Sequence, residues 1–398
     1  MKHKWEFSPR FRKGAYGWKS RPAMIRIREA VSEIKKVARR DPILGGEGAV
    51  LFLEKVSPAI EAVDSSSGSI GTAVSKAVVA LSQIIAKAPA DEKTRRQWLE
   101  RLYEAHQQDR IPYIESLDEH WGDLCADRKT ASDWADQCYP FSERALKAKP
   151  GEYIHYKGTS ICLSALYAAE RYDELVDLAA NSFFWPYRKW ALKALVNQGK
   201  MAEALRQAEG LRKSGQGEAE MDEFCEQILL SAGMIDEAYR RYGLADAQST
   251  TYKAWFKKVI RKYPDKQPED ILDDLIASTP GEEGNWFASA KDAGLLPKAL
   301  ELAKIGPTAP TTLSRAARDF IEPNPDFALQ AGLLACHWFC RGRGFETSAG
   351  DLAEAYTRTM AAAKVLQCEQ KVSDQIRSMV EAEDADPFAR RHLVPRDR

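Results

Sequence analysis

ALKALVNQGKMAEALRQAEG, residues 191–210, reads as a helix, a turn and a second helix. Its turn-and-second-helix phrase, a turn residue followed by three others, then Glu in four of five copies and Ala in three, recurs along the C-terminal half. Glu170-Arg-Tyr-Asp-Glu-Leu, Gly199-Lys-Met-Ala-Glu-Ala, Gly233-Met-Ile-Asp-Glu-Ala, Asp265-Lys-Gln-Pro-Glu-Asp and Gly294-Leu-Leu-Pro-Lys-Ala begin 29, 34, 32 and 29 residues apart. A period in the low thirties is the length of a helical hairpin. The small residue lets the chain reverse between helices, and the Ala lets the second helix approach the first. The chain therefore reads as an array, and arrays present surfaces.

Upstream of the array the pattern is also helical. After Arg21, with Pro22 suited to a first turn, the residues Met24, Ile27, Ala30, Val31, Ile34, Val37 and Ala38 form an apolar stripe that stops near Asp41-Pro42. Helices are predicted over about 47–63 with a kink at Pro58, about 70–87, from a cap at Asp91 onward, over 111–126 and over 130–149. A long closing helix is predicted over 347–383, followed by a polar, basic tail whose default is disorder. Residues 1–21 hold Trp5, Phe7, Phe11, Tyr16 and Trp18 without helical period and read as an extended arm.

On these phrases, residues 151–305 resemble the tetratricopeptide repeat superfamily, and Gly350-Asp-Leu-Ala-Glu-Ala repeats the phrase once more. The family places a small residue seven positions before the turn. This chain has Leu163, Leu192, Glu226, Lys258 and Phe287 there, so the resemblance is to a degenerate form. The words SEIKKVARRDPILGGEGAVLFLEKVSPAIEAVDSSSGSIGTAV and TSICLSALYAAERYDELVDL resemble a bacterial helical family of unknown function, some of whose members carry a SWIM-type zinc finger. The Cys-x-Cys pair of that finger is missing, so no metal follows from the resemblance.

The 398 residues suffice for two or three domains or one extended solenoid. The chain holds 58 basic and 58 acidic side chains, but residues 1–40 alone carry a net +10, leaving −10 for the rest. Seven cysteines, scattered through helical patterns, read as free thiols of a reducing compartment. The N-terminus has a charged start with no apolar segment behind it, and no apolar run approaches a bilayer's span, so a cytoplasmic location with no membrane partner is expected.

Two surfaces qualify as binding candidates. Trp185, Tyr187, Arg188, Lys189 and Trp190 are of the types that dominate protein interfaces, although large side chains also fill the core between repeats. Lys4, Arg10, Arg12, Lys13, Trp18, Lys19 and Arg21 of the arm, with Arg26, Lys35, Lys36, Arg39 and Arg40 of the first helix, form a basic, aromatic set suited to nucleic acid. The alternative for the arm is packing onto the helical body. Cys336, His337 and Cys340 lack a completing ligand pair for zinc. Gly68–Thr72 lacks the Lys of a phosphate loop. Glu104, His106, Asp118, Glu119, His120 and Asp123 are loose acid/base candidates without a nucleophile.

The expected fold is an all-α, right-handed α-solenoid of tetratricopeptide-like or HEAT-like hairpins. Its expected divisions are an arm (1–21), an irregular helical domain (22–150), repeats (151–345) and a capping helix with a basic tail (346–398). The expected function is a non-catalytic scaffold holding a protein partner, with nucleic-acid binding through the arm and first helix as the alternative. No cofactor is expected, and the oligomeric state is left open.

Overall fold

The computed structural model describes residues 3–148, 152, 154–212, 218–245 and 251–394. Their regular secondary structure is all helical with no strand among them, and the chain divides into two compact units, 1–218 and 219–398. The division falls inside the segment that reads as repeats.

The first unit begins with α1 (Ser20–Ala38), α2 (Pro42–Ile60) and α3 (Ser69–Lys87), which pack on one another. α2 starts five residues before the predicted start, because Asp41 caps it by accepting from the Leu44 N–H at 3.0 Å. Gly45, Gly46 and Gly48 belong to it for close approach: a Cβ on Gly48 would lie 2.2 Å from the Trp5 ring, and one on Gly46 2.5 Å from the Trp98 ring. Trp98 belongs to α4 (Glu92–Gln108), capped at Asp91, and donates from Nε1 to Glu47 at 2.7 Å. Arg95 of the same helix is buried and donates to the Ile85 and Ala88 carbonyls, each at 2.6 Å, satisfying the C-terminal end of α3.

The arm packs onto this unit. Trp5, Phe7 and Phe11 are buried, and Phe11 meets Phe52 edge to face with ring centroids 5.0 Å apart. Gly14 and Tyr16 donate their N–H groups to the Pro58 and Ala59 carbonyls at 2.9 and 3.3 Å, capping the end of α2. Glu33 of α1 accepts from the Glu6 and Phe7 N–H groups at 2.8 and 3.1 Å. The predicted helix over 111–126 is instead a 3-10 segment, Glu115–His120, running into α5 (Trp121–Cys125). There follow α6 (Arg128–Leu146), α7 (Thr159–Ala168), α8 (Tyr172–Ala179), α9 (Trp185–Asn197) and α10 (Met201–Arg212).

The second unit holds α11 (Glu218–Ser231) from its second residue on, α12 (Ile235–Ala238) with a π-helical turn, α13 (Tyr252–Lys262), α14 (Pro268–Ala277), α15 (Phe287–Asp292) and α16 (Leu296–Ile305). Next come α17 (Pro310–Phe320), α18 (Pro325–Cys340), α19 (Ala349–Val365), α20 (Glu369–Glu381) and α21 (Pro387–His392). The long closing helix is therefore two helices, broken where Gln367 takes a left-handed φ of 55°. The tail likewise holds a short helix, capped by Asp386 and anchored by the buried Leu393; residues 395–398 lie outside the described residues.

One turn recurs in both units. Glu170, Gly199, Gly233 and Gly294, the first residues of four of the repeat phrases, have φ of 59°, 76°, 72° and 79°. Each N–H bonds back three residues, and the next N–H bonds back five, as from Gly199 to Val196 O (2.9 Å) and Lys200 to Leu195 O (2.8 Å). That pair of bonds is the Schellman closure of a helix. The residue after the turn repeats almost the same backbone at Arg171, Met234 and Leu295, with ψ of 57°, 56° and 59°. Five positions beyond the turn residue, Leu175, Ala204, Ala238 and Ala299 are fully buried.

Candidate functional site

α1 buries Ala23, Ile27, Ala30 and Ile34 against α2 and α3. Its acids are taken by the arm: Glu33 holds the arm's backbone, and Glu29 pairs with Arg10 at 3.0 Å and Arg26 at 2.6 Å. The cations on the other flank keep no such partner. Between that flank and α3 lies a cavity of about 750 Å³ whose wall carries Arg28, Lys35 and Lys36 from α1, Arg39 and Arg40 from the turn that ends it, and Lys76 from α3. No carboxylate lines it. Among the described residues, none of these six side chains makes an ion pair or hydrogen bond.

The groove exists because α3 turns small side chains toward it. Ala73, Ala77 and Ala80 form its floor with Ile27 and Val31 of α1, and larger groups there would fill the space. A second cavity of about 430 Å³ continues it, sharing Lys35, Arg39 and Ala80 and adding Gln83 and Lys87. A third, of about 550 Å³, shares Gln83 and Lys87 but mixes signs, with His120, Asp123, Asp127 and Arg128 on its wall. By length and composition α3 is also apolar enough to cross a membrane, with a mean hydropathy of 1.5 over its best window. Small residues around Lys76 hide that apolarity from a scan for bulky runs. Ile70, Val74, Val78, Leu81 and Ile85 are buried in this unit.

The predicted nucleic-acid set separates into three groups. Lys35, Lys36, Arg39 and Arg40 line the groove. Trp18, Lys19, Arg21 and Arg26 line a neighbouring cavity of about 630 Å³, where Arg26 is already paired. Lys4, Arg12 and Lys13 are exposed along the arm, and Arg10 is paired with Glu29. Arg28, Lys76 and Lys87 were outside that set. The seven-residue steps from Arg21 to Arg28 to Lys35 were a signal for Arg28, whereas nothing in the α3 sequence alone places Lys76 and Lys87 opposite α1.

The candidate protein-binding residues are largely internal. Trp185 and Trp190 are buried, Trp190 packing on Tyr167 with ring centroids 5.6 Å apart. Arg188 donates to Gln207 at 3.0 Å, and Lys189 pairs with Glu119 at 2.8 Å. Tyr187 is half-buried and meets the exposed Phe184, whose neighbour Phe183 is 89% exposed.

The acid/base candidates do not converge. His106 is buried and its basicity falls to a pKa of about 4, chiefly through desolvation. Burial raises Asp118 to about 7. His120 and Asp123 share the third cavity but make no hydrogen bond to each other. Cys336 and Cys340 are buried, and desolvation lifts Cys336 to about 12, leaving a neutral thiol beside the Thr359 hydroxyl at 3.8 Å. No group of three or more His, Cys, Asp or Glu among the described residues is placed to hold a metal. Gly68 is the cap of α3 with φ 66°, and the Thr72 hydroxyl donates to its carbonyl at 3.0 Å. Compared with known proteins, the chain matches no protein-family model and no curated sequence.

Proposed function

We propose that the protein binds the phosphate backbone of a nucleic acid in the groove between α1 and α3. The carrying observation is the concavity lined by Arg28, Lys35, Lys36, Arg39, Arg40 and Lys76 without a carboxylate on its wall. Like charges held this closely repel one another, and a bound polyanion relieves that repulsion while releasing its own counterions. A strand fits a concave wall. A bilayer surface, being flat, would meet the rim and leave the floor unfilled. The floor is mostly alanine and branched aliphatic carbon, and the polar lining is cationic apart from the single hydroxyl of Ser32, so the contact chiefly positions a backbone rather than reading base edges.

The test is fluorescence anisotropy of labelled DNA and RNA oligonucleotides titrated with the intact protein and with Lys35→Glu/Arg39→Glu. At 50 mM salt the double variant should bind on the order of tenfold more weakly or worse, having lost two phosphate contacts and gained two repulsions, with an unchanged circular dichroism spectrum. No binding by the intact protein to any of these oligonucleotides would refute the reading.

A second reading draws on a different observation. Phe183 and Phe184 stand exposed at the entry to α9, between one hairpin and the next. In this reading the recurring Schellman hairpins are tetratricopeptide-like units of a right-handed solenoid, and the exposed pair anchors a protein partner.

A further inference from the structure

Among the described residues of the arm, Trp18 is the aromatic that folding leaves outside. Trp5, Phe7 and Phe11 are buried, Tyr16 is half-buried, and Trp18 is 73% exposed. Its backbone is pinned: the Trp18 carbonyl accepts from the Asp64 N–H at 2.9 Å, two residues after Tyr16 is tied to Ala59. The ring is thus presented by an ordered turn. An exposed indole forgoes the apolar burial that the other aromatics of the arm gain.

The surroundings fit a flat, anionic ligand. Trp18, Pro22 and Ile25 give an apolar patch, and the same cavity carries the cations Lys19, Arg21 and Arg26 and the acids Glu29 and Asp64. The acids are engaged, Glu29 by Arg10 and Arg26 and Asp64 by the Ser66 N–H at 3.0 Å. Lys19 and Arg21 remain. Arg21 is seven residues from Arg28, and Arg28 seven from Lys35, so these cations share one line along α1, which is about 28 Å long for its 19 residues. The indole stands at the amino end of that line.

We infer that Trp18 is a base-stacking platform and that the groove's ligand is a single-stranded nucleic acid. One unpaired base lies on the indole, and the phosphates next to it follow Arg21, Arg28, Lys35 and Arg39. A duplex covers both faces of its internal bases, so a stacking ring at the end of a cationic track favours a strand whose bases are free. This inference rests on the groove being a nucleic-acid site.

The experiment compares the full-length protein with Trp18→Ala, Trp18→Phe and Lys35→Glu/Arg39→Glu, using a fluorescein-labelled 12-nucleotide single strand and a blunt 12-base-pair duplex at 50 mM salt. Trp18→Ala should weaken single-strand binding on the order of fivefold or more, the loss of one stacked base, and leave duplex binding within about twofold. Trp18→Phe should keep most of the single-strand affinity, since a phenyl ring still stacks. The double charge reversal should weaken both ligands. If the intact protein binds and Trp18→Ala weakens both ligands equally, or neither, the stacking role is refuted while the groove reading stands. If the intact protein binds neither ligand but binds anionic phosphatidylserine vesicles, both readings are overturned.

Discussion

His106 and Asp118 occupy the same unit and answer pH in opposite directions. His106 is held near pKa 4 by burial, below its ordinary value of 6.5, so the unfolded chain binds a proton that the fold refuses, and stability is lost as pH falls from 6.5 through 4. Asp118 is raised by burial from 3.8 to about 7, so the fold keeps a proton that the unfolded chain gives up, and stability is lost as pH rises through that window. Asp109, also raised by burial, adds to the second effect. The His106 and Asp118 effects oppose each other between about pH 4 and 6.5. Asp118→Asn removes one of them, so urea unfolding of that variant should gain stability relative to the parent by about 1.4 kcal/mol per pH unit from pH 4.5 to 6.5. Parallel curves for the two proteins would contradict the assignment. None of this was legible from residue type, since both side chains read equally well as solvated members of an acid/base set. Trp185 and Trp190 carry the same lesson: indoles anchor interfaces and fill cores by the same burial of area, and only the neighbours tell which.

At the scale of elements, the turns were the legible part. A Gly five positions before an Ala marked the left-handed closure at Gly199, Gly233 and Gly294, because a residue without Cβ takes that conformation at no steric cost. Gln367 takes the same conformation without that signal, which is why the closing segment reads as one helix in sequence and is two in the fold. Gln367→Gly should therefore raise stability by about 1 kcal/mol, and Gly294→Ala should lower it by a similar amount, both measured by denaturant midpoint. Equal and small shifts for both would mean the turns are unstrained. The cationic flank of α1 was legible through its helical spacing. The share contributed by α3 was not, because a groove is a relation between two helices.

At the scale of the whole molecule, a net charge of zero and a pI near 7.0 conceal an N-terminal segment of net +10. Folding sharpens that imbalance by engaging Glu29 and Glu33 of α1 away from the groove and leaving Arg28, Lys35, Lys36, Arg39 and Arg40 along it. Nucleic-acid binding should therefore be steeply salt-dependent despite the neutral chain, with log K falling by about 0.7 per phosphate contact for each unit of log salt on a single strand. Lys35→Glu/Arg39→Glu should flatten that slope by more than one; an unchanged slope would place the contacts elsewhere. By itself the sequence determined that the chain is helical, where most helices begin and turn, and which segment is basic, because these follow from local periodicity, capping and counting. Tertiary structure decided which aromatics of the arm are inside, which cations have lost their partners, and that alanines of α3 leave open the space those cations surround. Burial, pairing and concavity are set by contacts between residues far apart in the chain, and no local pattern contains them.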